Sequence, residues 1–195
     1  MGRELEFKYK ATTAQQQAIR EAFGNFVTIQ MQTTYFDTPQ ADLSRRHVTL
    51  RLRKENETRI CTMKTPLPDG SRGEWECEAA DILSGVELLR SLGAPAELCR
   101  LAQSGVVPVC GAKFTRHATT VPTVDGSAEL AIDSGLLLGG DQEVALCEVE
   151  IEHKTGSDQS TQELASIIAT RFGLVREHKS KFRRAMALAK GEYYG

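Results

Sequence analysis

The sequence predicts an α+β fold: an eight-stranded antiparallel β-barrel, or tunnel, with a charged lumen and helices packed on the outside. Three observations favour this class. Segments of alternating polarity are separated by turn signals. Helical patches with apolar stripes fall between some of these segments. Charged residues share one face of several segments. The 195 residues suit one domain, which we predict to span residues 1–195.

Eight segments are the strand candidates, because each alternates in polarity and is bounded by turn or helix signals. They are residues 4–10, 28–37, 48–54, 58–64, 72–79, 109–121, 128–138 and 144–153. The turn signals lie at residues 54–57, 68–71, 125–126 and 139–141. Such closely spaced strands and turns are typical of an antiparallel meander.

Five helices are predicted around these strands. The starts and stops of the first three are Thr13-x-x-Gln16 to Gly24, Ser84-x-x-Glu87 to Gly93, and Pro95 as a first helical residue. Apolar stripes mark the last two: Leu164, Ile167, Ile168 and Phe172 before Gly173, and Phe182, Ala185, Met186 and Ala189. These stripes can cover the apolar face of a curved sheet.

The overall composition excludes several classes of protein. Lys and Arg number 24 against 26 Asp and Glu, a formal charge of −2, and 41% of residues are hydrophobic. This argues against a disordered chain and against a basic nucleic-acid-binding protein. No apolar run approaches the roughly 18 residues that span a bilayer, and no signal-peptide core is present. We expect a cytoplasmic protein with a small-molecule substrate and no nucleic-acid or membrane partner.

Charged residues occupy alternate positions in several strand candidates. In Glu4-Leu5-Glu6-Phe7-Lys8, the three charged side chains leave one face of the strand about 6.8 Å apart, and Leu5 and Phe7 leave the other. The alternation recurs in residues 51–53, 72–76, 129–133 and 148–152. One face of the sheet is therefore almost wholly charged.

One interpretation of this face is an outer surface in contact with water. Against it, like charges are grouped: Glu148, Glu150 and Glu152 share one strand, and Arg51 and Arg53 share another. Such grouping costs free energy unless something lies between the rows. We therefore interpret the face as a lumen. Clustered carboxylates bind hard cations such as Mg²⁺ or Mn²⁺, and clustered Arg and Lys bind phosphate oxygens, so the rows indicate a cation and a polyphosphate.

An ordered set of motifs covers essentially the whole chain. It comprises Glu4-x-Glu6-x-Lys8, Tyr35-Phe36-Asp37-Thr38-Pro39, Leu50-Arg51-Leu52-Arg53, Thr62-Met63-Lys64, Arg72-x-Glu74, Arg116, residues 129–135, residues 147–152 and Ser180-Lys181. In this order the chain resembles the CYTH family, the triphosphate tunnel metalloenzymes, and in detail its bacterial inorganic triphosphatase branch. The resemblance implies metal-dependent hydrolysis of inorganic triphosphate to pyrophosphate and phosphate.

The resemblance also implies a role for each matching residue. The implied ligands of Mg²⁺ or Mn²⁺ are Glu4, Glu6, Glu148, Glu150 and Glu152. The implied substrate-binding residues are Lys8, Arg51, Arg53, Lys64, Arg116 and Lys181. The implied catalytic residues are Lys8, Glu74, Asp133 and Lys181, with Glu74 and Asp133 in the acidic row as water-orienting or second-metal groups.

Other functions stay open at this point. A class IV adenylyl cyclase or a thiamine triphosphatase has the same fold but needs space for an organic group, and the sequence shows no evident aromatic clamp for a base. A non-catalytic polyphosphate- or nucleotide-binding module could discard the metal, whereas both charged rows are complete here. A carrier barrel for apolar ligands would need an apolar lumen. The sequence does not predict the oligomeric state.

Overall fold

Ten antiparallel strands and six helices make up the part of the chain that the computed structural model describes, residues 2–3 (backbone only), 5–67 and 72–192. The predicted ligand Glu4 and the turn signal at residues 68–71 lie outside the described residues. The elements are β1 (Gly2–Arg3), β2 (Glu6–Lys10), α1 (Thr13–Phe23), β3 (Val27–Asp37), α2 (Asp42–Arg45), β4 (Thr49–Glu55), β5 (Thr58–Pro66), β6 (Arg72–Glu78), α3 (Ile82–Ser91), α4 (Ala96–Gln103), β7 (Val107–Pro122), β8 (Ser127–Gly139), β9 (Gln142–Thr155), α5 (Asp158–Phe172), β10 (Val175–Arg176) and α6 (Lys181–Ala189).

The strands form one sheet in the order β1-β6-β5-β4-β3-β7-β8-β9-β2-β10. The N-terminal segment takes part at both ends of this order, because β1 pairs with β6 while β2, which follows it closely in the chain, pairs with β9. The segment thus links the two ends, and the sheet curls into a tunnel. The predicted α+β tunnel fold is confirmed. The predicted first strand, residues 4–10, corresponds to β2, and the two short strands β1 and β10 are additional.

Apolar side chains at alternate positions of the strands face outward. Helices cover them in two hydrophobic clusters. The first, with contributions from α2, α3 and α4, includes Leu50, Met63, Trp75 and Leu89. The second, with contributions from α1 and α5, includes Ile19, Leu130, Ile151 and Ile168. Because these two clusters lie outside the sheet, much of its inner face is left to polar side chains. No helix among the described residues is both long and apolar enough to cross a membrane.

Two predicted helix starts are wrong, because another residue upstream provides the cap. In α1 the cap is Thr12, whose Oγ1 accepts the Gln15 N–H while the Gln15 side chain accepts the Thr12 N–H at 2.8 Å. In α3 it is Asp81, which accepts the Ser84 N–H at 2.9 Å. Because Thr12 and Gln15 form the cap of α1, Gln16 does not have the capping role predicted for it. Its side chain is instead buried.

Helix α6 differs from the other helices because it packs against the inward face of the sheet. Its Ala185 contacts a small apolar cluster that includes Phe114, Leu137 and Leu146. Leu137 leaves the same face of β8 as Asp133, four residues away. Gly139 permits the close approach, since a Cβ there would lie 2.4 Å from the Ala185 carbonyl oxygen. The helix therefore brings its own side chains into the tunnel.

Candidate active site

The tunnel encloses a cavity of about 480 Å³. All eight long strands and α6 contribute side chains to its wall. The predicted site residues that line it are Glu6, Lys8, Arg51, Arg53, Lys64, Glu74, Arg116, Glu150, Glu152 and Lys181. Asp133 and Glu148 lie behind this wall, 0% and 1% exposed. The charged alternates of the strands therefore face a shared internal space.

Asp133, Glu148 and Glu150 form a compact group, here called the deep cluster, with a carboxylate oxygen from each lying within 4.8 Å of the others. The register of the sheet builds it: Asp133 on β8 is the direct partner of Glu148 on β9, and Glu150 leaves the same face of β9. Lys181, the first residue of α6, reaches all three. Its Nζ lies 2.7 Å from Asp133 Oδ2 and 2.7 Å from Glu150 Oε1, and it also contacts Glu148.

Two further cations complete the surroundings of Glu150. Arg116 makes a bidentate contact with Asp133, at 2.8 Å from Nε to Oδ1 and 2.8 Å from Nη2 to Oδ2, and also donates to Glu150. Lys8 Nζ lies 3.3 Å from Glu150 Oε1. Burial alone would raise the pKa of Glu150, but the charges of Lys181, Lys8 and Arg116 outweigh it and hold that pKa well below its usual value. Glu150 is therefore ionised.

The same contacts keep the ammonium group of Lys181 charged. Burial would lower the pKa of Lys181, but the carboxylates of Asp133, Glu148 and Glu150 outweigh it and raise that pKa well above the usual value. In Glu148, by contrast, burial is the largest influence and raises the pKa, although Lys181 and Arg184 act in the opposite direction. The two glutamates of the deep cluster thus differ in how readily they stay ionised.

Arg184 is a residue of the site that the sequence analysis missed. It lies on α6 three residues after Lys181, so both side chains leave the same face of the helix. Its Nη2 donates to Glu148 Oε2, and its Nη1 lies 3.9 Å from Glu177 Oε2. The signal in the sequence was the helical spacing from Lys181, which the predicted apolar stripe of α6 obscured.

Gln16 was also missed, and it supports the deep cluster from the outer side of the sheet. Its Nε2 donates to the backbone carbonyl oxygens of Asp133 at 2.9 Å and Glu148 at 3.3 Å. Its Oε1 accepts the Ser134 hydroxyl at 2.6 Å. Helix α1 therefore fixes the backbone of β8 and β9 at the two positions from which deep carboxylates project.

A second acidic group consists of Glu6, Glu129 and Glu152. Glu152 on β9 is the register partner of Glu6 on β2 and of Glu129 on β8. Lys8 Nζ lies 2.7 Å from Glu6 Oε1, and Lys154 Nζ lies 2.9 Å from Glu152 Oε1. Burial raises the pKa of Glu152; the hydrogen bond and charge of Lys154 oppose this rise, and the negative charges of Glu129 and Glu6 add to it. The predicted metal ligands that the structure describes thus divide between this group and the deep cluster.

The cations predicted on β4 and β5 form a separate wall with Glu74. Lys64 Nζ lies 3.3 Å and Arg51 Nη2 lies 3.8 Å from Glu74 Oε1. Arg53 contacts Glu55 and lies 3.8 Å from Glu76. Glu74 was expected in the acidic row with Asp133, but it lies among these cations. The register explains this position, because Glu74 is the direct partner of Lys64.

Three aromatic rings also line the cavity, although the sequence showed no evident aromatic clamp. The Tyr35 and Phe182 rings contact each other, with centroids 5.1 Å apart. Lys181 Nζ lies 5.1 Å from the centroid of Phe114, and Arg116 lies 5.9 Å from it. The rings thus contact each other and the cations of the site.

Comparisons with known proteins agree with this architecture. The CYTH domain family model matches residues 2–186. An inorganic triphosphatase from Haemophilus influenzae is 24% identical over 162 residues, which cover 82% of this chain and 46% of that protein, so the chain spans about half the length of this curated relative.

Solved structures show the same fold. A proposed adenylate cyclase from Bacillus halodurans superposes with a TM-score of 0.67 at 19% identity and covers 94% of this chain and 98% of its own. A proposed adenylyl cyclase from Hippeastrum, for which a dominant triphosphatase activity is described, has a TM-score of 0.68 at 20% identity, covering 98% and 97% of the two chains.

Proposed function

The chain belongs to the CYTH domain family, and on that premise we propose that it hydrolyses inorganic triphosphate to pyrophosphate and phosphate. The observation that carries the proposal is the tunnel itself, whose wall places Lys and Arg side chains around one cavity together with two groups of carboxylates. The activities of the Haemophilus relative and of the Hippeastrum protein support this choice of reaction.

In this proposal the basic side chains bind the phosphoryl oxygens of the substrate. They are Lys8, Arg51, Arg53, Lys64, Arg116 and Lys181, which reach the cavity from β2, β4, β5, β7 and α6. Phosphoryl transfer depends mainly on positioning and on neutralising the charge of the transferred group. Because these cations contact carboxylates in the structure, they exchange those partners for phosphate oxygens when substrate binds.

The carboxylates fit a hard divalent cation. All the donors are oxygen atoms, as Mg²⁺ and Mn²⁺ prefer, and the ammonium of Lys181 already lies among the three carboxylates of the deep cluster. We propose Glu6, Glu148, Glu150 and Glu152 as ligands, together with Glu4. When bound, the ion supplies further neutralisation of phosphoryl oxygens.

We assign separate roles to the two carboxylates outside that ligand set, proton transfer to Glu74 and orientation of cations to Asp133. Glu74 faces the cavity and accepts a proton from the attacking water, and Lys64 Nζ lies 3.3 Å from its Oε1. Asp133, with both oxygens bound by Arg116, orients Arg116 and Lys181 toward the phosphoryl group. Lys8 and Lys181 neutralise charge that develops on the leaving pyrophosphate.

Phosphate release from a panel of substrates tests the proposal. Tripolyphosphate should be hydrolysed faster than ATP, thiamine triphosphate or pyrophosphate with Mg²⁺ or Mn²⁺, and activity should vanish in excess chelator and return with the metal. Binding of tripolyphosphate without turnover would identify a non-catalytic binding module. Full activity in chelator would contradict the metal ligands.

The aromatic rings of the cavity favour one alternative, a class IV adenylyl cyclase acting on ATP. Tyr35, Phe114 and Phe182 offer flat surfaces on which a purine could stack. The same panel decides between the two reactions, because a cyclase converts ATP to cyclic AMP and pyrophosphate with no orthophosphate. Cyclic AMP formed faster than tripolyphosphate is hydrolysed would replace the proposed function.

A further inference from the structure

Arg72 stands apart from the other basic residues that line the cavity. Each of the others has a carboxylate within 4.0 Å: Lys8, Arg51, Arg53, Lys64, Arg116, Lys154 and Lys181. Within residues 5–67 and 72–192, Arg72 has none. Its guanidinium makes only long contacts, from Nη2 to Thr49 Oγ1 at 3.3 Å and to the His47 carbonyl oxygen at 3.5 Å.

The Nε of Arg72 adds a second observation. It is buried and has no hydrogen-bond partner among the described residues, as is also true of the Nε of Arg53, whose guanidinium contacts carboxylates through Nη2. Buried donors are normally paired, so an unpaired one that belongs to a cavity-lining arginine indicates a missing acceptor. A guanidinium group presents its donors in a planar fork that matches the oxygens of a phosphoryl group. The acceptor that fits is therefore an anion.

The strand register places this guanidinium at one end of the wall of cations. Arg72 leaves the same face of β6 as Glu74, which pairs with Lys64, and it reaches Thr49, the register partner of Lys64 on β4. Thr49 in turn leaves the same face of β4 as Arg51. Arg72 thus continues the wall beyond Lys64.

We propose that Arg72 is a preformed phosphate ligand that binds a terminal phosphoryl group of inorganic triphosphate, an inference that rests on the proposed function. A cation that contacts a carboxylate must give up that partner to bind phosphate, and the lost contact offsets part of the gain. Arg72 has no such partner to give up. Its contribution to substrate binding is therefore independent of the metal, which acts at the carboxylates.

Calorimetric titration of tripolyphosphate into the metal-free protein, in excess chelator, tests this inference. We expect Arg72→Gln to weaken binding at least about tenfold and Arg72→Lys at least about threefold. The matched control is Arg100→Gln, which removes the same charge from an exposed position on α4 and should leave the affinity within about twofold of the parent. Thermal melting of each variant confirms folding; if the Gln variant does not fold, the Lys variant decides the test.

Unchanged affinity in the Arg72 variants would overturn the inference, as would a parent protein that binds tripolyphosphate only when the metal is present. Hydrolysis by the parent protein with Mg²⁺ is measured separately. A parent that hydrolyses tripolyphosphate while Arg72→Gln binds normally contradicts only the role of Arg72. A parent that binds through Arg72 but does not hydrolyse contradicts only the proposed function.

Discussion

Arg183 and Arg184 are adjacent on α6 but have opposite environments. Arg183 is exposed, whereas Arg184 is 8% exposed and contacts the buried Glu148. We expect Arg184→Ala to lower the free energy of unfolding by about 3–5 kcal/mol, because it leaves a buried carboxylate without one of its cations. Arg183→Ala should change it by less than about 0.5 kcal/mol. Denaturant unfolding of both variants gives the comparison.

The same pair distinguishes positioning from substrate binding. Arg184 is not among the cavity-lining residues, so its loss should reduce kcat for tripolyphosphate at least about tenfold through Glu148 and Lys181, with a smaller effect on KM. Equal kinetics for Arg183→Ala and Arg184→Ala would show that Arg184 has only a structural role.

Glu6 provides a test of the second acidic group. Glu6→Gln removes a proposed metal ligand, so we expect activity to fall at least about tenfold and the stabilisation of the protein by Mg²⁺ to disappear. Without metal the melting temperature should change little, since Lys8 keeps Glu150 as a partner at 3.3 Å. The control is Glu57→Gln, a side chain that is 94% exposed. Full activity with normal Mg²⁺ stabilisation in Glu6→Gln would remove Glu6 from the site.

At the residue scale, alternation predicted which side chains share the tunnel but not which of them touch. The pattern of Glu148 and Glu150 indicates one face of a strand. It carries no information on Lys181, whose contact with both depends on the packing of a helix from the far end of the chain. The contacts of Glu74 were missed for a similar reason, since strand pairing and not strand pattern places it beside Lys64.

Helix α6 is the element on which the site depends most directly. A Cβ at Gly139 would lie 2.4 Å from the Ala185 carbonyl oxygen and 2.5 Å from the Ala189 nitrogen. Gly139→Ala should therefore push α6 away from β8, cost about 1–3 kcal/mol of stability and lower activity, because Lys181 moves with the helix. Activity assays well below the melting temperature of the variant check this expectation.

Gly85→Ala is the matched control for that substitution. A Cβ at Gly85 would lie 2.5 Å from Cys61 Cβ in the outer cluster beneath α3. We expect a comparable loss of stability with normal kcat for the folded protein, because Gly85 packs against Cys61 on β5, whereas α6 packs mainly against β7, β8 and β9. A similar loss of kcat in both variants would mean that overpacking anywhere damages the site, and it would contradict the special role of α6.

At the level of helices and strands, the type of each element was easier to predict than the residues at which it begins and ends. Capping boxes have short, common sequences, and in α1 the choice between Thr12 and its neighbour depends on the extended backbone of the cap residue. The packing of α6 inside the tunnel was not predictable from its apolar stripe, since a stripe predicts burial but not the surface that it covers. The contact of Arg184 with Glu148 could be recognised only once the packing of α6 was known.

At the scale of the whole molecule, the tunnel depends on the N-terminal segment. Deleting Gly2 and Arg3 removes β1 and leaves β6 without one of its neighbours. We expect hydrogen exchange at whichever of the Gly73 and Glu74 amides faces β1 to quicken at least about tenfold, because it loses its partner, while the other amide faces β5. Exchange in β8, whose neighbours β7 and β9 remain, is the internal control. Unchanged exchange in β6 would show that β1 does not hold the tunnel together.

The fold as a whole was the most predictable feature, because many weak signals agree on it. Period-two alternation in eight segments, turn residues between them and apolar helical stripes all indicate a curved antiparallel sheet with outside cores. The order of the strands in the sheet and the shape of the cavity could not be predicted from the alternation of polarity. They depend on register, which pairs residues that are distant in sequence, such as Glu6 with Glu152.

The pairing of β2 with β9 joins the beginning of the described chain to its last long strand. During synthesis on the ribosome, β2 emerges before β9 and lacks this partner until β9 has been made. An unpaired strand on a nascent chain is a target for aggregation. The alternating Glu6, Lys8 and Lys10 keep one face of this strand charged and so oppose its association with other nascent chains. Glu6 and Lys8, which face the finished cavity, therefore have a second consequence, because they also oppose aggregation of the unfinished polypeptide.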